Sequence, residues 1–310
     1  MTLAERRDIP AADRRSQQLL AAVFRSTLRA LMKPMFHPRI PTRLLRAGMR
    51  TLTTTTLRAT GIDLQPLSLN GIACEAASPD QPGDSAVLYL HGGAYCVGSP
   101  ATHRAITSHL ARDSGATVFA IDYRLAPEHP FPAASDDALT AYRWLLDNGY
   151  APERVFIAGD SAGGGLTLAT ALQIRDQGLP APGGLILLSP WVDLSLSRQA
   201  DPHQPDEVML SWPTLEHAAA LYAGEQRRHP LVSPLQADLD RLPPTLIIVG
   251  TDEILLGDSE ALYNKMAAAG TPVRLSVYQN MWHVFPIQAG ALATANVAIT
   301  EIAAWIRQPG

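Results

Sequence analysis

Hydrophobic and polar positions fall into two regimes along the chain. From Arg14 to Met35 the apolar residues Leu19, Leu20, Val23, Phe24, Leu28, Leu31 and Met32 recur every three or four positions, which predicts one apolar helix face. Pro34, Pro38 and Pro41 end that pattern, because proline lacks an amide hydrogen and collides with the preceding turn. A short second helix is predicted over 42–52. No strand pattern precedes these helices, so residues 1–55 read as a helical cap segment.

Near Leu67 the pattern changes. Asn70-Gly71 between two short apolar stretches is a two-residue hairpin signal. Short apolar runs then predict buried strands at 86–90, 117–121, 155–158, 185–188, 245–249 and 273–278. Helical patterns fall between or after them at 102–113, 133–148, 162–177, 259–269 and 291–307. Alternating helices and doubly buried strands argue for an α/β fold with a mostly parallel central sheet flanked by helices. The interval 194–243 lacks a convincing strand and holds one helical stretch at 211–222. It follows a strand's C-terminal end, where open α/β sheets bind ligands, so it reads as a cap insertion within a catalytic domain spanning 56–310.

Composition narrows the class. Hydrophobic residues make up 46% and charged residues 17% of the 310, the balance of a soluble globular enzyme. No apolar run of about 18 residues occurs, so no transmembrane segment is expected. A net charge of −4 gives no basis for a nucleic-acid partner. That figure conceals an asymmetry, since residues 1–50 hold eleven basic side chains against three acidic ones. This basic segment has two readings: a cationic helix folded over the body, or contact with a membrane surface. Cys74 and Cys96 give no disulfide framework and read as core residues. The N-terminus lacks the apolar run and cleavage site of a secretory signal, so a cytoplasmic location is expected. Neither Cys/His spacing suited to a metal nor G-x-G-x-x-G after a strand occurs, so no metal and no organic cofactor are expected.

Three segments carry candidate chemistry, all following predicted strands. Gly159-Asp160-Ser161-Ala162-Gly163 is G-x-S-x-G between a strand and a helix, the context that places a serine on a sharp, strained turn. His91-Gly92-Gly93 precedes Ala94-Tyr95, and its glycines let backbone amides approach an acyl oxygen. Gly92, Gly93 and Ala162 are the expected oxyanion donors, with His91 bracing the loop. Ser161 needs a base and the base needs an orienting acid. His283 and Asp252, each just past a strand, give the chain order Ser, Asp, His. Glu253 and Asp258 are rivals for the acid; Glu253 could instead favour the dipole at the start of the next helix.

The set His91-Gly92-Gly93, Asp122-Tyr123-Arg124-Leu125-Ala126-Pro127-Glu128 and Gly159-Asp160-Ser161-Ala162-Gly163 resembles the bacterial hormone-sensitive-lipase family of esterases. Ser189-Pro190-Trp191-Val192-Asp193 and His283-Val284-Phe285 are similar as well, and the resemblance runs from about Ala86 to the C-terminus. It implies an α/β-hydrolase fold with a helical cap and cofactor-free hydrolysis of carboxylic esters, often with short acyl chains. Some relatives open lactone rings. Two departures stand out. Ala94 occupies the place of a frequent third glycine, and Gly257 stands where some relatives carry another acid.

The leading expectation is therefore a serine carboxylesterase that acts on a small-molecule ester through an acyl-enzyme on Ser161. A lactone or amide hydrolase with the same triad is the alternative, and a receptor on a hydrolase scaffold is a more distant one. Tyr95, Trp191, Met209, Trp212, Leu215 and Tyr222 are the expected pocket wall. The sequence leaves monomer and homodimer equally open.

Overall fold

The sheet grows outward from strands with no polar face. In the computed structural model, which describes residues 3–197 and 207–308, β4 (Ala86–Leu90), β5 (Thr117–Ile121) and β7 (Gly184–Leu188) are buried at every position. So is β6 (Val155–Asp160). Such strands require cover on both faces, and alternation divides their side chains between two cores. Ile157 points into one core, while its neighbours Phe156 and Ala158 point into the other.

Helices α4 (Ala133–Asp147), α5 (Ala162–Asp176) and α7 (Leu256–Ala268) cover the first face. The other face is covered by α3 (Arg104–Ser114) and α8 (Ala293–Arg307). The remaining strands are β1 (Ala4–Ile9), β2 (Ile62–Leu69), β3 (Ile72–Pro79), β8 (Thr245–Asp252) and β9 (Val273–Trp282). The nine-stranded order is β1-β9-β8-β7-β6-β4-β5-β3-β2; β3 is antiparallel to both its neighbours, β2 and β5, and every other pairing is parallel. The β2–β3 turn places Asn70 and Gly71 at φ of 50° and 91°, the left-handed pair that an Asn-Gly hairpin uses. Because β4, β6, β8 and β9 run in one direction, their C-terminal ends deliver His91, Ser161, Glu253 and His283 to a single edge.

The start of the chain departs from the expected helical cap segment over 1–55. The N-terminal segment is not helical throughout, since β1 pairs in parallel with β9 and completes the sheet. Its sequence, Ala4-Glu5-Arg6-Arg7-Asp8-Ile9, gives no apolar alternation. An edge strand needs none, because charge protects its open side. Glu5 instead pairs with Arg274 at 2.8 Å and Arg6 with Glu260 at 2.9 Å.

Helices α1 (Arg15–Met35) and α2 (Thr42–Thr53) then cross the C-terminal edge of the sheet. Part of the 194–243 insertion forms α6 (Trp212–Ala223), whereas its residues 198–206 lie outside the described residues. Two arginines fix the N-terminal helices. Arg46 donates to Glu128 through both terminal nitrogens, at 2.9 and 2.7 Å, and to the carbonyls of Cys96 and Ala126. Arg25 donates to Asp252 at 2.5 Å and to the Asn280 carbonyl at 2.8 Å, and sits over the Trp282 ring.

Arg46→Ala removes four contacts that hold α2, two of them on a half-exposed carboxylate that solvent screens. Hydrogen exchange by mass spectrometry should then show residues 42–53 exchanging about tenfold faster, the effect of roughly 1.4 kcal/mol of local stability. Protection in β4 and β6 should remain unchanged.

Candidate active site

The centre of the site is a serine in a backbone conformation that side chains disfavour. Ser161 links β6 to α5 at φ 54° and ψ −121°. Its amide donates to the Leu188 carbonyl at 2.8 Å, and its own carbonyl accepts from Trp191 at 2.9 Å. Close backbone contact permits the turn. A Cβ at Gly159 would lie 2.3 Å from the Gly163 carbonyl oxygen, and one at Gly163 would lie 1.9 Å from that of Leu90. The two glycines of the motif are thus required by space between β4, β6 and α5.

His283 meets the serine from the end of β9. The Ser161 hydroxyl donates to His283 Nε2 at 3.0 Å, and Nδ1–H donates to Glu253 Oε2 at 2.7 Å. Glu253 is completely buried, and its second oxygen accepts from the Ser189 hydroxyl at 2.8 Å and the Gly250 amide at 2.7 Å. The acid in contact with the histidine is therefore Glu253, which corrects the expectation of Asp252. Asp252 ends β8 and turns its carboxylate to Arg25 on the outer side of the strand. Consecutive residues of an extended chain project to opposite sides, so of the two neighbours only one can face His283. Asp258 is not the partner either: it accepts the amides of Val192 and Asp193.

Burial of the imidazole disfavours its charge, but the hydrogen bond and field of Glu253, with Glu207 and Asp160 behind it, outweigh that cost. The His283 pKa is raised above its ordinary value. Glu207 accepts the amides of Met209, Leu210 and Ile254, which ties the segment before α6 to the loop that carries Glu253.

The loop after β4 closes the other side. The Gly92 amide donates to Asp160 Oδ1 at 3.0 Å, so it is already committed and does not face the cavity as a free donor. This corrects its assignment to the oxyanion hole. A Cβ at Gly92 would lie 2.1 Å from Asp160 Oδ2, so glycine here serves the approach to Asp160. Gly93 at φ 124° and Ala94 at φ 53° follow. Among the described residues, the amides of Gly93, Ala94 and Ala162 have no protein acceptor in the bonding pattern, and all three residues lie beside Ser161.

Asp160 also accepts from the Tyr89 hydroxyl at 2.7 Å and faces His103 Nε2 at 3.3 Å. Burial penalises its charge, but His103, Tyr89 and the Gly92 amide together hold its pKa below the ordinary carboxylate value. His91 is buried and stacked on Tyr123 with ring centres 4.3 Å apart. It donates through Nδ1 to the Gly92 carbonyl. Burial and the neighbouring His103 push its pKa down to about 3, so the ring stays neutral.

The cavity above Ser161 is apolar. Its walls come from Leu28, Met32 and Phe36 at the α1 end, Met49 and Leu52 of α2, and Met209, Leu215 and Ile287. Met209 and Leu215 thus stand where the sequence reading put them. Tyr95, Trp191, Trp212 and Tyr222 do not line the cavity. Tyr95 and Tyr222 stack face to face at 3.8 Å, Trp191 packs beside Tyr95, and the first three of these, unlike half-buried Trp212, are almost fully buried. Aromatic residues near the motifs proved to be core beneath the site. Much of the wall comes instead from leucine, methionine and Phe36 of the N-terminal helices, for which sequence offered only the amphipathic period as a signal.

A serine, histidine and buried carboxyl on the C-terminal edge of a parallel sheet, beside unbonded loop amides, are the arrangement that a serine hydrolase requires. The sequence profile of the alpha/beta hydrolase fold family matches residues 87–287. An acetyl-hydrolase of Streptomyces hygroscopicus is 42% identical over 235 residues, covering 75% of this chain and 79% of that protein. The crystal structure of a hormone-sensitive lipase from a metagenome library superposes with a TM-score of 0.88 at 42% identity, covering 94% of this chain and 97% of that one. The crystal structure of EstE5 soaked with p-nitrophenyl butyrate gives 0.85 at 38% identity, covering 93% and 97%. The chain belongs to the hormone-sensitive-lipase family of α/β-hydrolases, and it is a carboxylic-ester hydrolase.

The two neighbouring acids can be told apart by kinetics. Glu253→Gln should lower kcat by on the order of 10⁴, because an amide would favour the wrong imidazole tautomer. Asp252→Asn should stay within about fivefold of wild type, the worth of one partly exposed ion pair. The reverse ranking would restore Asp252 as the acid.

The pH profile gives a separate check. The base must be neutral to take the serine proton, so kcat/KM should fall as pH drops through the raised His283 pKa. Without the Glu253 carboxylate, the residual activity of Glu253→Gln should show that acid limb at lower pH.

Proposed function

We propose that this enzyme hydrolyses short-chain carboxylic esters through an acyl-enzyme on Ser161. The observation that carries the reading is the continuous relay from Ser161 Oγ to His283 at 3.0 Å and from His283 to Glu253 at 2.7 Å. In the first step His283 accepts the Ser161 proton as Oγ attacks the ester carbonyl, and Glu253 stabilises the imidazolium so formed. The tetrahedral oxyanion is met by the amides of Gly93, Ala94 and Ala162, the last at the N-terminus of α5, where the helix dipole favours negative charge. Collapse expels the alcohol, to which His283 returns the proton. A water then enters, His283 takes its proton, and the acyl-enzyme is hydrolysed.

Asp160 and His103 act one layer away. Their ion pair holds the Gly92 amide, which sets the direction of the next two amides in the loop. Helices α1 and α2, with the described residues from Met209 to Leu215 of the insertion, form the cap over this centre, since both contribute cavity walls. Short acyl preference is supported by the size of the cavity, about 130 Å³, below the roughly 300–1,000 Å³ of sites for drug-sized ligands. The similarity to an acetyl-hydrolase and to an esterase soaked with a butyrate ester points the same way.

The test is a p-nitrophenyl acyl series from acetate to palmitate. Turnover should peak at acetate or butyrate, show a burst of p-nitrophenol when deacylation is slow, and fall by on the order of 10⁶ in Ser161→Ala. Undiminished activity in Ser161→Ala would falsify the mechanism, and a maximum at palmitate would remove the short-chain assignment.

A further inference from the structure

Charge in this protein is divided between two parts of the chain. Residues 1–50 carry eleven basic and three acidic side chains, while residues 51–310 carry fourteen basic and twenty-six acidic ones. Solvent-exposed large apolar residues are divided in the same way. Of nine among the described residues, seven lie within residues 3–57, including Leu19 at 68%, Leu44 at 56% and Val23 at 54% exposure.

Helical geometry places these features on the outside of the cap. The inner face of α2 puts Met49, Leu52 and Thr53 against the catalytic cavity. Its opposite arc presents Arg43, Leu44, Ala47 and Arg50 to solvent. In α1, Leu28 and Met32 face inward, whereas Leu19, Val23 and Ala30 lie outward beside exposed Arg15. Ile40 and Arg39 are exposed in the link between the helices. Apolar side chains therefore project among cations at the end of the molecule that also holds the cavity.

We propose that the outer face of α1 and α2 docks this enzyme on an anionic phospholipid surface. Arginines there would meet lipid phosphates while Leu19, Val23, Ile40 and Leu44 enter the headgroup region. The acidic remainder of the molecule would be repelled by the same surface, so attraction and repulsion select one orientation. That orientation presents the catalytic edge to the bilayer and away from bulk water. A face-to-face pair of two copies is disfavoured by the same charge excess.

The test is co-sedimentation of the full-length protein with vesicles of pure phosphatidylcholine and with vesicles containing about 30% phosphatidylglycerol. Binding should occur only to the anionic vesicles and weaken strongly between about 50 and about 500 mM NaCl. Combined Arg15→Gln, Arg39→Gln and Arg43→Gln should reduce partitioning on the order of a hundredfold, about fivefold per cation. Leu19→Ser with Val23→Ser should weaken binding while preserving its salt dependence. Both variants should hydrolyse soluble p-nitrophenyl acetate like wild type, which verifies their folding. No sedimentation, equal binding to both vesicle types, or unaltered binding by the arginine variant would overturn the proposal. So would a homo-oligomer in gel filtration that the arginine variant dissociates, since that assigns the face to a second copy. Sedimentation requires no ester, so its outcome is independent of the catalytic assignment.

Discussion

The candidate active site depends on how closely three backbones approach at Ser161. The serine holds φ at 54° only because α5 starts almost in contact with the end of β4, with the Gly163 Cα beside the Leu90 carbonyl. That approach brings the Gly92 amide within reach of Asp160, and so joins the serine turn to the loop after β4 through one hydrogen bond. A side chain at either glycine of the turn would separate the elements and move Ser161 and the neighbouring loop amides at once. Local backbone strain is retained because the surrounding packing leaves no relaxed alternative.

Around this turn, buried acids organise the loops at the strand ends. Glu253 accepts from Gly250, Ser189 and His283; Glu207 accepts three amides; Asp258 accepts two; Asp160 accepts from Gly92 and Tyr89. Buried carboxyl groups are costly unless each oxygen is satisfied, and here backbone amides from separate loops provide that satisfaction. The network therefore fixes the relative positions of loops that share no secondary structure. One member of it, Glu253, meets His283, and the others hold the surrounding loops in place.

The N-terminal helices connect this centre to the outside. Arg25 lies on Asp252, beside the acid of the relay, and on Trp282, beside its base. Helix α1 is thus attached at the residues flanking Glu253 and His283, while its apolar side walls the cavity. One face of each helix is required by packing and the other is left for solvent, which allows the outer surface to evolve its own chemistry.

The strand–helix alternation, the Asn70-Gly71 hairpin, the turn at Ser161 and the order serine, carboxylic acid, histidine along the chain are legible in the residues alone. These are local: they follow from side-chain period, from the φ that Asn and Gly tolerate, and from the space a glycine leaves. Tertiary structure decided the rest. Asp252 and Glu253 are adjacent carboxylic acids, and which of them faces His283 depends on the side from which β9 approaches the end of β8. The Gly92 amide is taken by Asp160 because β4 and β6 are neighbours, a fact with no local signature. Strand β1 is polar because it lies at an edge, so hydrophobic patterning could not reveal it. Tyr95, Trp191 and Tyr222 are apolar enough for a pocket or for a core, and only tertiary packing buries them away from the cavity and leaves Trp212 half-buried outside it. Residue type narrowed each choice to a few candidates, and long-range contacts selected among them.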